Sequence, residues 1–494
     1  MIADPMRVAA GDDPRRRPAA SAATPRNSAA PEHGTGRALP ASMATSHARS
    51  TLLCCLAALA PACAILGSDD DGATSLDTAD DGTGDDASSG DTGVEPGTSG
   101  TAEGSTDADP SDSDPSDSAA DSTGGDVDAL PSAVAIAIAN GRLHACALTD
   151  AGIVRCWGNA ESGQLGNGAP FDTTAYRVPV EVEGLAGVTA ISSFSDHTCA
   201  LDGDGAVWCW GDNEFGQLGD GTTSPSNVPL AVPGLAGARA VAAGWEHTCA
   251  ITADGGAACW GKNDYGQLGN DTNVDAGAPV TVVGLTGVTA IAAGRYHTCA
   301  ATDDGAAWCW GGDTFGELGN DEATSASYVP VMVAGLGTGV THIAAGDSVG
   351  CAITDGGAAQ CWGVNGDGQL GNGQSGSFVE SHTPTAVVGL TAGVTAIAPG
   401  FGYTCAVADG AAKCWGDNFD GNLGNGEGPG YQSPTPIDVT GLGSGVESIG
   451  TCSGHACAMT TAGAVWCWGN NDGGSLGDGG TDSTTTPVAV VSLP

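Results

Sequence analysis

Apolar positions between residue 132 and the C-terminus fall in short β-type runs with no helical period. Residues 287–338 show the plan. The run Val288-Thr289-Ala290-Ile291-Ala292-Ala293 leads into Gly294-Arg295-Tyr296-His297-Thr298-Cys299 and a short turn. Trp308-Cys309-Trp310-Gly311 follows, then Phe315-Gly316-Glu317-Leu318-Gly319. The run Pro330-Val331-Met332-Val333-Ala334-Gly335-Leu336 closes the stretch. This pattern predicts about four short strands joined by glycine-rich turns. Cys-Trp-Gly recurs seven times, starting at Cys156, Cys209, Cys259, Cys309, Cys361, Cys414 and Cys467, at spacings of 53, 50, 50, 52, 53 and 53 residues. A fixed period near 50 marks a solenoid or a propeller. The units fall near 132–186, 187–236, 237–286, 287–338, 339–391, 392–444 and 445–494.

Each unit also carries a second Cys upstream of the first. The pairs are Cys146/Cys156, Cys199/Cys209, Cys249/Cys259, Cys299/Cys309, Cys351/Cys361, Cys405/Cys414 and Cys457/Cys467. Six pairs enclose nine residues. Folding such a segment about its midpoint opposes the two Cys across a three-residue loop, for example Asp150-Ala151-Gly152. The third loop residue is Gly in all six: Gly152, Gly205, Gly255, Gly305, Gly357 and Gly463. A left-handed residue belongs there. The sixth pair encloses eight residues, and its midpoint Asp409-Gly410 suits a two-residue hairpin turn. Opposed residues at a site without ladder hydrogen bonds lie roughly 4.5 Å apart at Cα, within disulfide reach. Seven disulfides are therefore expected, one per unit. Zinc is the weaker alternative, because each unit offers two Cys and one His, and metal-binding Cys usually sit two to four residues apart.

Composition sharpens the picture. Among 494 residues, 81 are Gly, and 14 Lys or Arg face 58 Asp or Glu, a formal charge of −44. Such a balance argues against nucleic acid or an anionic membrane surface as partner. The charge is uneven. Residues 67–131 hold 19 acidic residues and no Lys or Arg, and residues 132–494 hold 35 acidic and 7 basic. Residues 1–42, with Arg15-Arg16-Arg17, lack periodicity and are expected to be disordered or not translated. Residues 43–63 read as a signal peptide, with Arg49 before an apolar run from Leu52 to Ala60. Ala60-Pro61-Ala62-Cys63 suits signal-peptidase cleavage. It is also similar to a bacterial lipoprotein box, which would make Cys63 a lipidation site and the mature N-terminus. The Asp/Ser/Thr/Gly-rich stretch 64–131 is expected to be an unfolded tether. Export would supply the oxidising compartment that disulfides need.

The repeat resembles the regulator of chromosome condensation family. That family's marks are Gly-x-x-His-Ser/Thr before a strand and Trp-Gly-x-Asn-x-x-Gly-Gln-Leu-Gly after it. Here they read Gly244-Trp245-Glu246-His247-Thr248 and Trp260-Gly261-Lys262-Asn263-Asp264-Tyr265-Gly266-Gln267-Leu268-Gly269. The resemblance covers roughly 132–494 and implies an all-β, seven-bladed propeller of about four-stranded blades. It makes Trp157, Trp210, Trp260, Trp310, Trp362, Trp415 and Trp468 inter-blade packing residues. It makes His144, His197, His247, His297 and His455 buried, hydrogen-bonded packing residues. Val349 and Tyr403 replace His in units five and six, which a catalytic or metal ring would not tolerate. Phe194 and Cys452 replace the leading Gly in units two and seven, and Cys452 belongs to no expected pair. Because the chain opens on Val134-Ala135-Ile136 and ends on Pro487-Val488-Ala489-Val490-Val491, the two termini are expected to close the ring by sharing one blade.

No nucleophile–base or dinucleotide motif stands out, and no catalytic residue, cofactor or metal is assigned. Glu214, Glu317 and Asp313 are expected to be solvated loop acids. Three functions remain open. The first is an exported or surface-tethered monomer that binds a protein or polysaccharide through its loops and meets a membrane only through the Cys63 lipid. Secreted inhibitors of β-lactamase, which have a similar repeat fold, set the precedent. The second, implied by the resemblance, is guanine-nucleotide exchange on a Ran-type GTPase, which requires a cytoplasmic protein. The third is a loop-face hydrolase or lyase.

Overall fold

A computed structural model describes residues 135–322 and 324–493. The expected segments 1–42, 43–63 (with Cys63) and 64–131 lie outside the described residues. The structure is a seven-bladed β-propeller, each blade a four-stranded antiparallel sheet. Blade 4 is representative, with strands Val288–Ala293, His297–Thr302, Ala307–Gly312 and Ala326–Met332. The first strands of neighbouring blades contact one another and form the innermost ring.

Every blade is built from four strands consecutive in sequence. The expected blade shared by both termini is therefore not formed. Blade 1 holds Ala135–Asn140 and blade 7 holds Thr484–Ala489. The physical reason is that each sequence unit is already a complete sheet, with no strand position vacant. The ring closes by side-chain packing instead. Ala135, Ile138, Ala145, Ala147 and Trp157 of blade 1 share one apolar cluster with Met459, Val465 and Leu476 of blade 7. The other six seams have the same construction. In one of them Trp310 of blade 4 sits among Ile251, Leu268 and Leu285 of blade 3. All seven Trp of the Cys-Trp-Gly motifs are fully buried.

The hairpins take the expected register. Each Cys pair is opposed across strands two and three, as in Cys299↔Cys309 and Cys405↔Cys414. All seven pairs are disulfides with Cα–Cα of 4.0–4.1 Å. The tip glycines have φ between 72° and 82°, and the shortened turn has Asp409 at 51° and Gly410 at 75°. Two consecutive positive φ values suit the right-handed strand twist. Cys452 is buried and lies outside these disulfides.

Strand direction sorts the connections onto two faces. Turns between strands one and two, and loops between strands three and four, emerge on what is here the upper face. Hairpin tips and blade-to-blade links emerge below, where the Val188 amide donates to Gly152 O at 3.2 Å.

Candidate binding face

The upper face rests on a hydrogen-bond relay repeated around the ring. Each Gly-Gln-Leu-Gly loop leans over the next blade and caps its Trp. Trp210 Nε1 donates to Gln164 O, Trp260 to Gln217 O, Trp310 to Gln267 O and Trp362 to Glu317 O. Trp415 donates to Gln369 O, Trp468 to Asn422 O, and Trp157 to Ser475 O across the closing seam. All seven bonds measure 2.8–2.9 Å. The last Gly of the loop is needed because a Cβ on Gly319 would lie 2.8 Å from Trp362 Cδ1, and its φ is 63°. The loop Asn holds the loop's shape: Asn263 Oδ1 accepts from the Leu268 amide at 3.0 Å.

Three of the five His, His144, His197 and His247, join this relay. Thr198 Oγ1 donates to Gln164 O, so its one proton is used and it accepts from His144 Nε2 at 2.8 Å. His197–Thr248 and His247–Thr298 repeat the pair at 2.9 Å. Burial first, with neighbouring His second for His144 and His247, lowers the pKa of His144, His197 and His247 to about 3. Burial lowers His297 and His455 to about 4. All five are neutral at ordinary pH. At the Thr position His297 meets Gly350 and His455 meets Ala145. His455 Nε2 is buried without a hydrogen-bond partner among the described residues. Tyr403, in a His position, donates instead to His455 O at 2.7 Å.

Two acids expected in solvent are buried. Asp313 and Glu317 of blade 4 are 0% and 4% exposed and stand where blade 3 has Asn263 and Gln267. Glu317 accepts from the Phe315 amide at 2.7 Å, as Gln267 does from Tyr265. Asp313 accepts from Leu318 N and Thr324 Oγ1. Burial, opposed by the Phe315 amide and reinforced by Asp313 and Asp347, pushes Glu317 up to about 7. Glu214 is exposed, as expected.

Above the relay, charge is unevenly distributed. Around blades 1–5 the turn carboxylates have cations beside them. Arg142 faces Asp196 at 3.6 Å, Lys262 bonds Glu246 at 2.5 Å and Arg295 bonds Asp347 at 3.3 Å. Aromatic rings bed the latter two. Lys262 Nζ lies 4.2 Å from the Phe215 centroid, and the Arg295 guanidinium lies 3.5 Å from that of Trp245 and 4.9 Å from that of Tyr296. Around blades 5–7 and the edge of blade 1 the face sinks into a depression of about 550 Å³. It is lined by Asp367, Asp417, Asp420, Asp472, Phe401, Phe419, Leu143, Ser453, Gly454, Asn422 and Asn470, with no Lys, Arg or His. Neither the depression nor the cation–aromatic clusters were foreseen, since they join residues of several units. The signal was present as ring positions compared across units: Lys262 and Asp417 follow the Trp-Gly of blades 3 and 6.

Comparison with known proteins agrees with this architecture. A family model for the RCC1-like domain matches residues 116–338. Models of the regulator of chromosome condensation (RCC1) repeat match 340–369, 446–475 and 462–494. The ultraviolet-B receptor UVR8 of Arabidopsis thaliana is 30% identical over 373 residues, covering 74% of this chain and 60% of the receptor. The human E3 ubiquitin-protein ligase HERC2 is 39% identical over 100 residues, 20% of this chain and 2% of the ligase. The chain thus spans less than two thirds of these relatives. Among solved structures, Prp20p of Saccharomyces cerevisiae superposes with a TM-score of 0.60 at 22% identity, covering 68% of this chain and 85% of Prp20p. Human WBSCR16 also gives 0.60 at 22% identity, covering 69% and 94%. At that identity the likeness concerns the fold.

Proposed function

The chain belongs to the regulator of chromosome condensation repeat family, and from that premise we propose that it is an exported, non-catalytic binding module that meets a protein or polysaccharide through its upper face. The observation that carries this reading is one fully buried disulfide in every blade. Reducing cytosol does not maintain such a set, whereas secreted and periplasmic compartments do. The signal-peptide plan of residues 43–63 and the acidic stretch 64–131 support the same reading: a leader, then a solvated spacer carrying the head away from its anchor. The upper face supports binding because it is concave and lined by carboxylates and exposed rings. The alternative, guanine-nucleotide exchange, needs a reduced cytoplasmic protein, and no feature of the upper face favours it.

The test is fractionation of producing cells combined with thiol labelling in place. In an exported head the fourteen hairpin Cys are oxidised, and none of them labels after denaturation without reduction. A cytosolic protein in which these fourteen Cys label would overturn the proposal.

A further inference from the structure

The repeat allows one part of the upper face to be compared with another. At the seam of blades 2 and 3, Phe215 of one loop, Lys262 of the next and Glu246 of the adjoining turn form an aromatic–cation–carboxylate set within the chain. At the seam of blades 5 and 6 the same three ring positions hold Asp367, Asp417 and Gly402. The position of the lysine is occupied by a carboxylate, and its neighbour is a carboxylate as well. At the seam of blades 6 and 7 they hold Asp420, Asn470 and Gly454. The aromatic component persists nearby: Phe401 takes the turn position of Trp245, and Phe419 stands beside Asp420. These rings are 38% and 70% exposed. Phe215, Trp245 and Tyr296 each lie under a Lys or Arg of the chain, whereas no Lys or Arg lines the depression beside Phe401 and Phe419.

The carboxylates accept hydrogen bonds from neutral groups, Asp367 from Gln432, Asp417 from the Phe419 amide and Asp472 from Asn470, but no cation of the chain lines the depression. Asp367 is partly buried next to Asp417, and burial and then that neighbour raise its pKa. Burial likewise raises Asp420, with Asp472 and Asp417 adding to the effect and Asn470 opposing it. Gly454 keeps space for this cluster: a Cβ there would lie 2.6 Å from Asp420 Oδ2. Like charges held together at a half-buried site destabilise one another, and a cation entering from outside relieves both the repulsion and the exposure of the rings.

We propose that the depression between blades 5, 6 and 7 binds a Lys- or Arg-bearing segment of a partner protein, its cation taking the place that Lys262 and Arg295 fill elsewhere on the ring. The proposal rests on the reading of the upper face as a binding surface, and it selects a basic protein over a neutral polysaccharide as partner. Charge complementarity supports the choice. Residues 132–494 carry 35 acidic and 7 basic residues, so approach of a basic segment is favoured over long range and the depression fixes where it docks.

The experiment titrates the purified full chain with a fluorescent oligolysine peptide and an oligoglutamate control of equal length at physiological salt. Asp367→Asn with Asp420→Asn should weaken oligolysine at least tenfold. Asp254→Asn with Asp304→Asn, the same charge removal on lower-face hairpin tips, should change it less than twofold. Asp417→Lys places a cation where Lys262 stands in blade 3 and should abolish peptide binding while thermal melting shows the fold intact. Equal weakening by both double variants means diffuse charge attraction and overturns the proposal, as does absence of oligolysine binding. Saturation by tetramethylammonium with no further gain from a peptide would replace the protein partner with a small quaternary amine. Because the titration uses purified protein, its failure leaves the localisation result standing, and a cytosolic location leaves the titration result standing.

Discussion

Replacing Glu317 by glutamine should stabilise the propeller, by an amount that grows as pH rises from 4.5 to about 7. Blades 1–6 close the loop that holds this position with a side-chain oxygen two residues after the amide it accepts from, and Glu317 keeps that bond to Phe315 N at 2.7 Å. Its second oxygen stands where a glutamine would offer an amide. In blade 2 that amide, Gln217 Nε2, donates to Asp212 Oδ2 at 2.8 Å. Blade 4 has Gly312 at the Asp212 position, yet Asp313 and Asp347 still oppose a charge on Glu317. Burial is the largest cause of a pKa raised from 4.5 to about 7. A folded-state pKa above the unfolded one means that the folded state holds the proton more tightly. Stability from this group is full below pH 4.5, falls as pH rises through the interval and is lost above pH 7. At about 1.4 kcal/mol per pH unit the total is about 3 kcal/mol. The glutamine side chain cannot titrate, so the difference between E317Q and the parent should be near zero at pH 4 and grow to about 3 kcal/mol at pH 8. For a domain of this size that is a rise of several degrees in melting temperature. Denaturant unfolding of both proteins under oxidising conditions from pH 4 to 9 measures it. A difference independent of pH, or one that shrinks as pH rises, would refute the reasoning.

Three further outcomes follow from the seams and hairpins. Ala145→Thr should place a hydroxyl between Ser475 O and the unpartnered His455 Nε2, and should raise stability by about 1 kcal/mol in chemical denaturation. A loss of similar size would show that the seam cannot accept the side chain. Trp310→Phe should remove the donor to Gln267 O and leave a gap in the blade 3 cluster, costing about 2–4 kcal/mol by the same assay. Cys299→Ala with Cys309→Ala should cost about 2–3 kcal/mol, the loop-closure value for a ten-residue separation, without moving the other six disulfides in a peptide map.

The hairpins could be read from sequence because their determinants are local. Cys299, Gly305 and Cys309 lie within one turn of chain, and the change to Asp409-Gly410 where a residue is lost fixes the register independently. The Trp burial was legible as packing, but its polar anchor was not. Trp310 Nε1 and Gln267 O are 43 residues apart, and a backbone carbonyl leaves no mark in a residue pattern. The burial of Asp313 and Glu317 was missed for a related reason. Acids in glycine-rich loops are ordinarily solvated, but this loop is roofed by the following blade, which brings Trp362 onto Glu317 O. The ring closure was misjudged although each unit already held a full sheet. The acidic depression required four blades to be brought together before its contrast with Lys262 and Arg295 could be seen.

The closing seam has a topological consequence. Blade 7 holds blade 1 with the same loop-to-Trp bond, Ser475 O to Trp157 Nε1, that joins neighbours linked by chain. Leu493 packs against the cluster that contains Ala135, so the described ends of the ring adjoin. The ring itself therefore does not require blade 1 to come first and blade 7 last along the chain. A circular permutant that joins these ends through a short linker and opens instead at the link near Gly237 should rebuild the same ring, all seven disulfides included, because no strand or disulfide crosses from one blade to another.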